Sequence, residues 1–171
     1  MGQDAEASFR AFVSARERAL LQRAWLLTGD WAGAEDLLQG TLLRAWPRWV
    51  TITAAGHEES YVRRTMINLY ISGRRRRWRR EAPTLFLPEP AALDGYDDVD
   101  VRMTLMKGLA DLPPRQRAVI VLRFVEDLSG AQTCAVLGCA PGTVKSQTSK
   151  ALASLRRHPQ VAALIEEAQH A

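Results

Sequence analysis

Residues 129–157 run SGAQTCAVLGCAPGTVKSQTSKALASLRR. Ser129 and Gln132 stand at the spacing of a capping box, so they open a short helix, which Gly138 closes. Pro141 suits the first position of a second helix, because the amide it lacks would have no intrahelical partner there. Two helices joined by so short a turn need a small residue one turn before the glycine and an apolar residue after it to close the corner. Cys134, Gly138 and Val144 meet those demands. The second helix, Pro141 to Arg157, is expected to turn Val144, Ala151, Leu152 and Leu155 inward. That leaves Lys145, Ser146, Gln147, Ser149 and Lys150 on a polar face without a carboxylate, as a recognition helix in the major groove requires. The bland alternative is a solvated face on a helical hairpin. Cys134 reads as a small hydrophobe at the inter-helix contact, and Cys139 as a similar but more exposed one.

Upstream, Val101, Leu105, Leu109 and Leu112 repeat at helical spacing. Pro113 and Pro114 then start a further helix carrying Val119, Ile120, Leu122 and Phe124. Between Glu81 and Asp100 the character reverses, with six carboxylates, three prolines and no Lys or Arg. The expectation is a flexible acidic linker with a domain boundary inside it. Nearer the N-terminus a first helix covers residues 8–28 through Phe9, Phe12, Val13, Leu20, Ala24 and Leu27, and Gly29-Asp30 stops it and caps the next. The second carries Ala34, Leu37, Leu38, Leu42 and Ala45 up to Pro47, with Glu35, Asp36, Gln39 and Arg44 on its other faces. A third, after a loop containing Gly56, carries Val62, Met66 and Leu69. Nothing reads as a strand. Past His158, Val161, Leu164 and Ile165 suggest a short helix in the tail, 158–171, packed on the preceding domain.

That third helix ends in an arginine run. Between Ser60 and Arg80 there are eight arginines and no carboxylate, a density suited to phosphate oxygens rather than to a self-repelling solvated face. Tyr61, Thr65, Asn68 and Ser72 fall on one side of the same helix and offer uncharged groups for unpaired bases. Trp46 and Trp49, before the Gly56 loop, are expected in the core, with stacking on a base as the alternative. His57 has no evident partner.

The 171 residues, 47% hydrophobic and 25% charged, are globular in composition, and the net charge of +4 favours a polyanionic partner. No apolar run reaches the roughly 18 residues of a membrane span, nor does the N-terminal segment read as a signal peptide, so the expected location is the cytoplasm, with no membrane partner. Two cysteines and three histidines supply neither a disulfide framework nor a metal site. No nucleophile elbow, phosphate-binding glycine loop or metal-ligand spacing is present, so no catalytic residue, cofactor or metal is expected.

Four segments in order resemble the sigma-70 family of bacterial RNA polymerase sigma factors, and within it the extracytoplasmic-function (ECF) group and its actinobacterial sigma-E-like subset. They are Ala34-Glu35-Asp36-Leu37-Leu38-Gln39 with Leu43-Arg44-Ala45-Trp46; Tyr61-Val62-Arg63-Arg64-Thr65 with Asn68; Leu112-Pro113-Pro114-Arg115-Gln116-Arg117; and Leu137-Gly138-Cys139 with Gly142-Thr143-Val144-Lys145-Ser146. The resemblance implies an all-α protein of two small helical domains, region 2 at 8–80 and region 4 at 101–157, joined by the linker 81–100. It implies that Glu35, Asp36, Gln39 and Arg44 dock on the β′ clamp helices of core polymerase. Tyr61, Arg64, Asn68, Ser72, Arg74, Arg75, Arg76 and Arg77 would bind the minus-ten element, with Asn68 and Ser72 at base-reading positions. Region 4 would hold the β flap and read the minus-thirty-five element with Thr143, Lys145, Ser146, Gln147, Ser149 and Lys150. Many relatives answer to an anti-sigma factor.

The chain departs from the family where arginine is usual at 147 and 150, where isoleucine or a similar residue is usual at 133, and where an apolar residue is usual at 148. Many members also have an acidic or amide residue at 72. Two rival functions stay open on the residues alone: a stand-alone repressor or activator with a C-terminal helix-turn-helix, and a helical adaptor that binds only protein.

Overall fold

The computed structural model describes residues 2–77 and 99–163, and the side chains of 2–73 and 103–163. Most of the expected linker, the side chains of Arg74 to Arg77, and Leu164 and Ile165 of the tail lie outside the described residues. The backbone divides into two compact units, Met1–Leu87 and Pro88–Ala171, and the described residues contain no strand.

In the first unit α1 spans Gly2–Thr28, six residues earlier at its start than the apolar periodicity predicts. Its first turns are largely exposed, so no apolar signal marks them. Gly29 stops the helix at φ 88, a conformation that costs glycine little. The Asp30 carboxylate then accepts from Gly33 N at 2.6 Å and caps α2, Trp31–Ala45. A Cβ at Gly33 would stand 2.9 Å from Asp30 Oδ2, so the glycine makes room for the cap. α2 packs on both α1 and α4 (Glu58–Arg77). The core is Leu20, Ala24 and Leu27 against Ala34, Leu38 and Ala45, with Val62, Met66, Ile67 and Tyr70 on the other side.

A 3-10 turn, Trp46–Arg48, leads into α3, Trp49–Ala54. The two tryptophans part company here. Trp49 is buried, its ring 4.9 Å from Phe9 and 5.0 Å from Phe12, with Nε1 donating to Ser8 Oγ. Trp46 touches Phe9 with one face and is exposed with the other, contrary to the expectation of core packing. His57 is exposed, but its carbonyl accepts from Tyr61 N and Ser60 Oγ and starts α4.

In the second unit α5 spans Val99–Ala110 and α6 Pro114–Ile120, with Pro114 in the first turn. α6 continues into a π turn, Val121–Val125. Regular α spacing from Val121 would bring Phe124 and Val125 back to the core; the wider π turn rotates both outward, and Phe124 is 56% exposed rather than buried as its spacing predicts.

α7 is Gly130–Leu137 and α8 Pro141–Leu155. The capping box is complete: Gln132 N donates to Ser129 Oγ and Ser129 N to Gln132 Oε1. Gly138 adopts φ 62 and its amide, like that of Cys139, donates to Cys134 O, ending α7 in a left-handed cap. The buried contacts of α7 are Thr133 and Val136, while Cys134 is only half-buried. The tight helix contact therefore falls one residue earlier than the spacing from Gly138 predicts. Thr133 takes the isoleucine position by donating its hydroxyl to Ser129 O at 2.9 Å, which leaves only its methyl to the core.

On α8, Val144, Ala151 and Leu155 are buried as expected, but Leu152 is half-buried on the flank. α5 comes close beneath α8. A Cβ at Gly108 would stand 2.9 Å from Leu155 Cδ2 and 3.0 Å from Val161 Cγ2, so the start of the tail does pack on this unit.

Candidate nucleic-acid and partner surfaces

Three surfaces carry the residues singled out by the sequence. On α2, Glu35, Asp36, Gln39 and Arg44 are all exposed. The helix positions them because its opposite side is spent on Ala34, Leu38, Thr41 and Ala45. Asp36 and Gln39 also begin a line that periodicity alone does not reveal. Leu43, Trp46 and Val50 follow at alternating steps of three and four, and all three are exposed, Leu43 by 74%. Large apolar side chains are thus exposed on α2, on the 3-10 turn and on α3. Of these, Trp46 reads as a core residue from the sequence, and the packed structure leaves it exposed.

On α4, Asn68 and Ser72 are exposed and Tyr61 and Thr65 half-buried along one side. The Ser72 hydroxyl donates to Asn68 O at 2.7 Å, so what it offers outward is acceptor lone pairs. The two arginines of the Tyr61-Val62-Arg63-Arg64-Thr65 motif differ in role. Arg64 is exposed, whereas Arg63 lies back along the helix with Nη2 at 3.6 Å from Glu59 Oε1. Arg63 is also the one of the two that the expected minus-ten set leaves out. Glu58 and Glu59 in the first turn complement the dipole of α4.

On α8, Lys145, Ser146, Ser149 and Lys150 are exposed and Thr143 and Gln147 half-buried, with no carboxylate on the helix. Thr148, at a position usually apolar, donates its hydroxyl to Val144 O at 2.7 Å. Beside this face lies a groove of about 420 Å³ lined by Arg123, Lys145, Thr148, Ser149, Leu152 and Arg156, among others. Arg123 and Arg156 add cations that the periodicity of α8 alone did not bring to this face. Arg123 is held there by donating to the carbonyl of Leu128.

No cluster of three or more His, Cys, Asp or Glu forms among the described residues. Burial first, and then the neighbouring Cys134, push the Cys139 thiol up from its ordinary value, with Arg115 opposing. No helix among the described residues is long and apolar enough to cross a membrane.

Comparison with known proteins covers both units. The family model for sigma-70 region 2 matches residues 12–80, and that for sigma-70, region 4, matches residues 102–155. Of the residues on the three surfaces, all but Arg156 fall inside these spans. The RNA polymerase sigma-E factor of Streptomyces coelicolor is 43% identical over 148 residues, 86% of this chain and 84% of that protein. The ECF RNA polymerase sigma factor SigL of Mycobacterium tuberculosis is 35% identical over 155 residues, 88% of each chain. Among solved structures, the sigma factor RpoE of Bartonella quintana, in complex with the anti-sigma factor NepR, matches with a TM-score of 0.71 at 27% identity, covering 90% of this chain and 98% of that one.

Proposed function

Since this chain belongs to the extracytoplasmic-function group of the sigma-70 family of RNA polymerase sigma factors, we propose that its three surfaces divide transcription initiation between them. α2 docks on core polymerase, α4 holds the opened minus-ten element, and α8 reads the minus-thirty-five element.

The chain is a sigma factor: it binds core polymerase and directs promoter recognition and transcription initiation. Glu35, Asp36, Gln39 and Arg44 on α2 meet the β′ clamp helices, and region 4 holds the β flap. Lys145, Ser146, Ser149 and Lys150 enter the major groove, with Thr143 and Gln147 at its phosphate edge, and fix the register of the complex on duplex DNA. Arg64 and Arg74 to Arg77 then hold phosphates while Asn68 and Ser72 receive a base that has left the stack. A base trapped in this way makes spontaneous local opening productive. Tyr61 flanks that base. The chain makes and breaks no bonds itself, because polymerase supplies the chemistry, and it works in the cytoplasm. The acidic segment 81–100 connects the two domains. An anti-sigma factor is a further candidate partner.

The observation that supports this reading most is the exposed face of α8, two lysines and two serines without a carboxylate, set on a completed capping box and a left-handed glycine turn. Transcription from a cognate promoter by core polymerase, with and without the purified chain, tests it. A specific transcript is expected only when the chain is present. Tight duplex binding by a dimer without polymerase would instead support a stand-alone repressor, and binding to polymerase with no promoter preference an adaptor.

A further inference from the structure

α4 leans chiefly on α2, through Val62, Met66, Ile67 and Tyr70, and meets α1 sparsely. Its first turn is tied to α1 by charge. The Glu59 carboxylate accepts from Arg16 Nη1 at 2.5 Å and from Arg23 Nη2 at 3.2 Å. Arg16 and Arg23 stand two turns apart on one side of α1. Arg63, one turn further along α4, completes the node at 3.6 Å from the same carboxylate. The node is partly buried: the Arg23 side chain is 11% exposed, Arg63 18% and Glu59 32%, while Arg16 on its outer side is 50% exposed. Arg16 is braced from beneath by Phe12, whose ring its guanidinium covers at 5.5 Å and which in turn packs on the buried Trp49. Three guanidiniums thus share one carboxylate, which offsets part of their mutual repulsion at separations well within a Debye length.

We propose that Glu59 is a positioning residue for minus-ten recognition. It pins the first turn of α4 to α1 and so sets where Tyr61, Arg64 and Asn68 stand relative to the Gly56 loop. Arg63, four residues on, faces the same carboxylate, while the helix turn of about 100° per residue leaves Arg64 outward. This rests on the reading of α4 as the minus-ten helix.

Glu59→Gln, which keeps the shape and removes the charge, is compared with Asn68→Ala and the parent chain, each as holoenzyme. Transcription is measured on a promoter and on versions changed at single minus-ten or minus-thirty-five positions. The ratio of changed to unchanged template does not depend on the fraction of active protein, so a loss of folded protein alone would not move it. Glu59→Gln is expected to reduce minus-ten discrimination about two- to fivefold, the range for a partly exposed ion-pair network, and to leave minus-thirty-five discrimination unchanged. Arg16→Gln should show a smaller loss of the same kind, and the double variant no more loss than Glu59→Gln alone; Arg16→Gln also serves if Glu59→Gln does not fold. If Asn68→Ala loses minus-ten discrimination while Glu59→Gln and Arg16→Gln keep it, the positioning role is wrong and the α4 reading stands. If none of the three variants loses it, the α4 reading itself fails. Equal loss at both elements would overturn the positioning role in favour of a general structural one.

Discussion

At the scale of single residues, α8 separates two kinds of DNA contact. Lys150 is exposed on the outward face, whereas Gln147 is half-buried at its edge and stands where relatives carry arginine. Lys150→Ala is expected to cost about 1–3 kcal/mol in holoenzyme binding and to relax preference at one position of the minus-thirty-five element. Gln147→Arg should raise affinity for every sequence and steepen the salt dependence, because it adds a cation at the phosphate edge. A promoter library measured at two salt concentrations separates them; a uniform loss from Lys150→Ala, or a changed base preference from Gln147→Arg, would reverse the assignment. Thr133 carries a different lesson. Its side chain is wholly buried, yet Ser129 O, to which its hydroxyl donates, also accepts from Thr133 N at 2.9 Å. Thr133→Val therefore strands no buried carbonyl, and its effect should stay within about 1 kcal/mol of the parent in urea unfolding. A loss above about 3 kcal/mol would mean the hydroxyl has a further role.

At the scale of elements, α2 and α4 make predictions that do not depend on any one side chain. Glu35→Lys with Asp36→Lys reverses charge on an exposed face whose opposite side alone builds the core. Association with core polymerase should be abolished and helical circular dichroism kept; unchanged holoenzyme affinity would remove α2 from the clamp. Replacing Arg74 to Arg77 with alanine should weaken holoenzyme binding roughly equally across promoters. The slope of log affinity against log salt should fall by about 0.9 for each duplex phosphate that is no longer neutralised, or about 0.7 for single strand. An unchanged slope would make the run a solvated end of α4. The composition of α4 made its basic character plain, but not that its first turn is tied back to α1. That tie joins residues 43 and 36 positions apart in the chain, a separation that no helical period reports.

At the scale of the whole molecule, each unit closes its own core, the first around α2 and the second around α6 and α8. The connection between them is predicted from composition: three prolines, six carboxylates and no cation between Glu81 and Asp100. A protease that cuts after glutamate should cleave first at Glu81 or Glu89, ahead of the glutamates of α1, α2 and α4. First cleavage elsewhere, or a resistant core spanning both units, would count against a flexible connection.

Everything set within a turn or two of chain is legible in the order of residues. The Ser129–Gln132 box, the left-handed turn at Gly138, the Asp30 cap and the inward positions of α2 and α4 depend on neighbours three or four residues away. Packing between helices, and one departure from regular helix geometry, fix the rest. Trp49 is buried because Phe9 and Phe12 of α1 cover it, while Trp46, three residues earlier and equally apolar, has just one of them. Leu43 lies outside because α1 and α4 occupy the other sides of α2. Phe124 is exposed because a π turn, which no apolar spacing announces, rotates it away from the core. Glu59 is held by two arginines of α1, 43 and 36 residues earlier in the chain, a tie that no local spacing reveals.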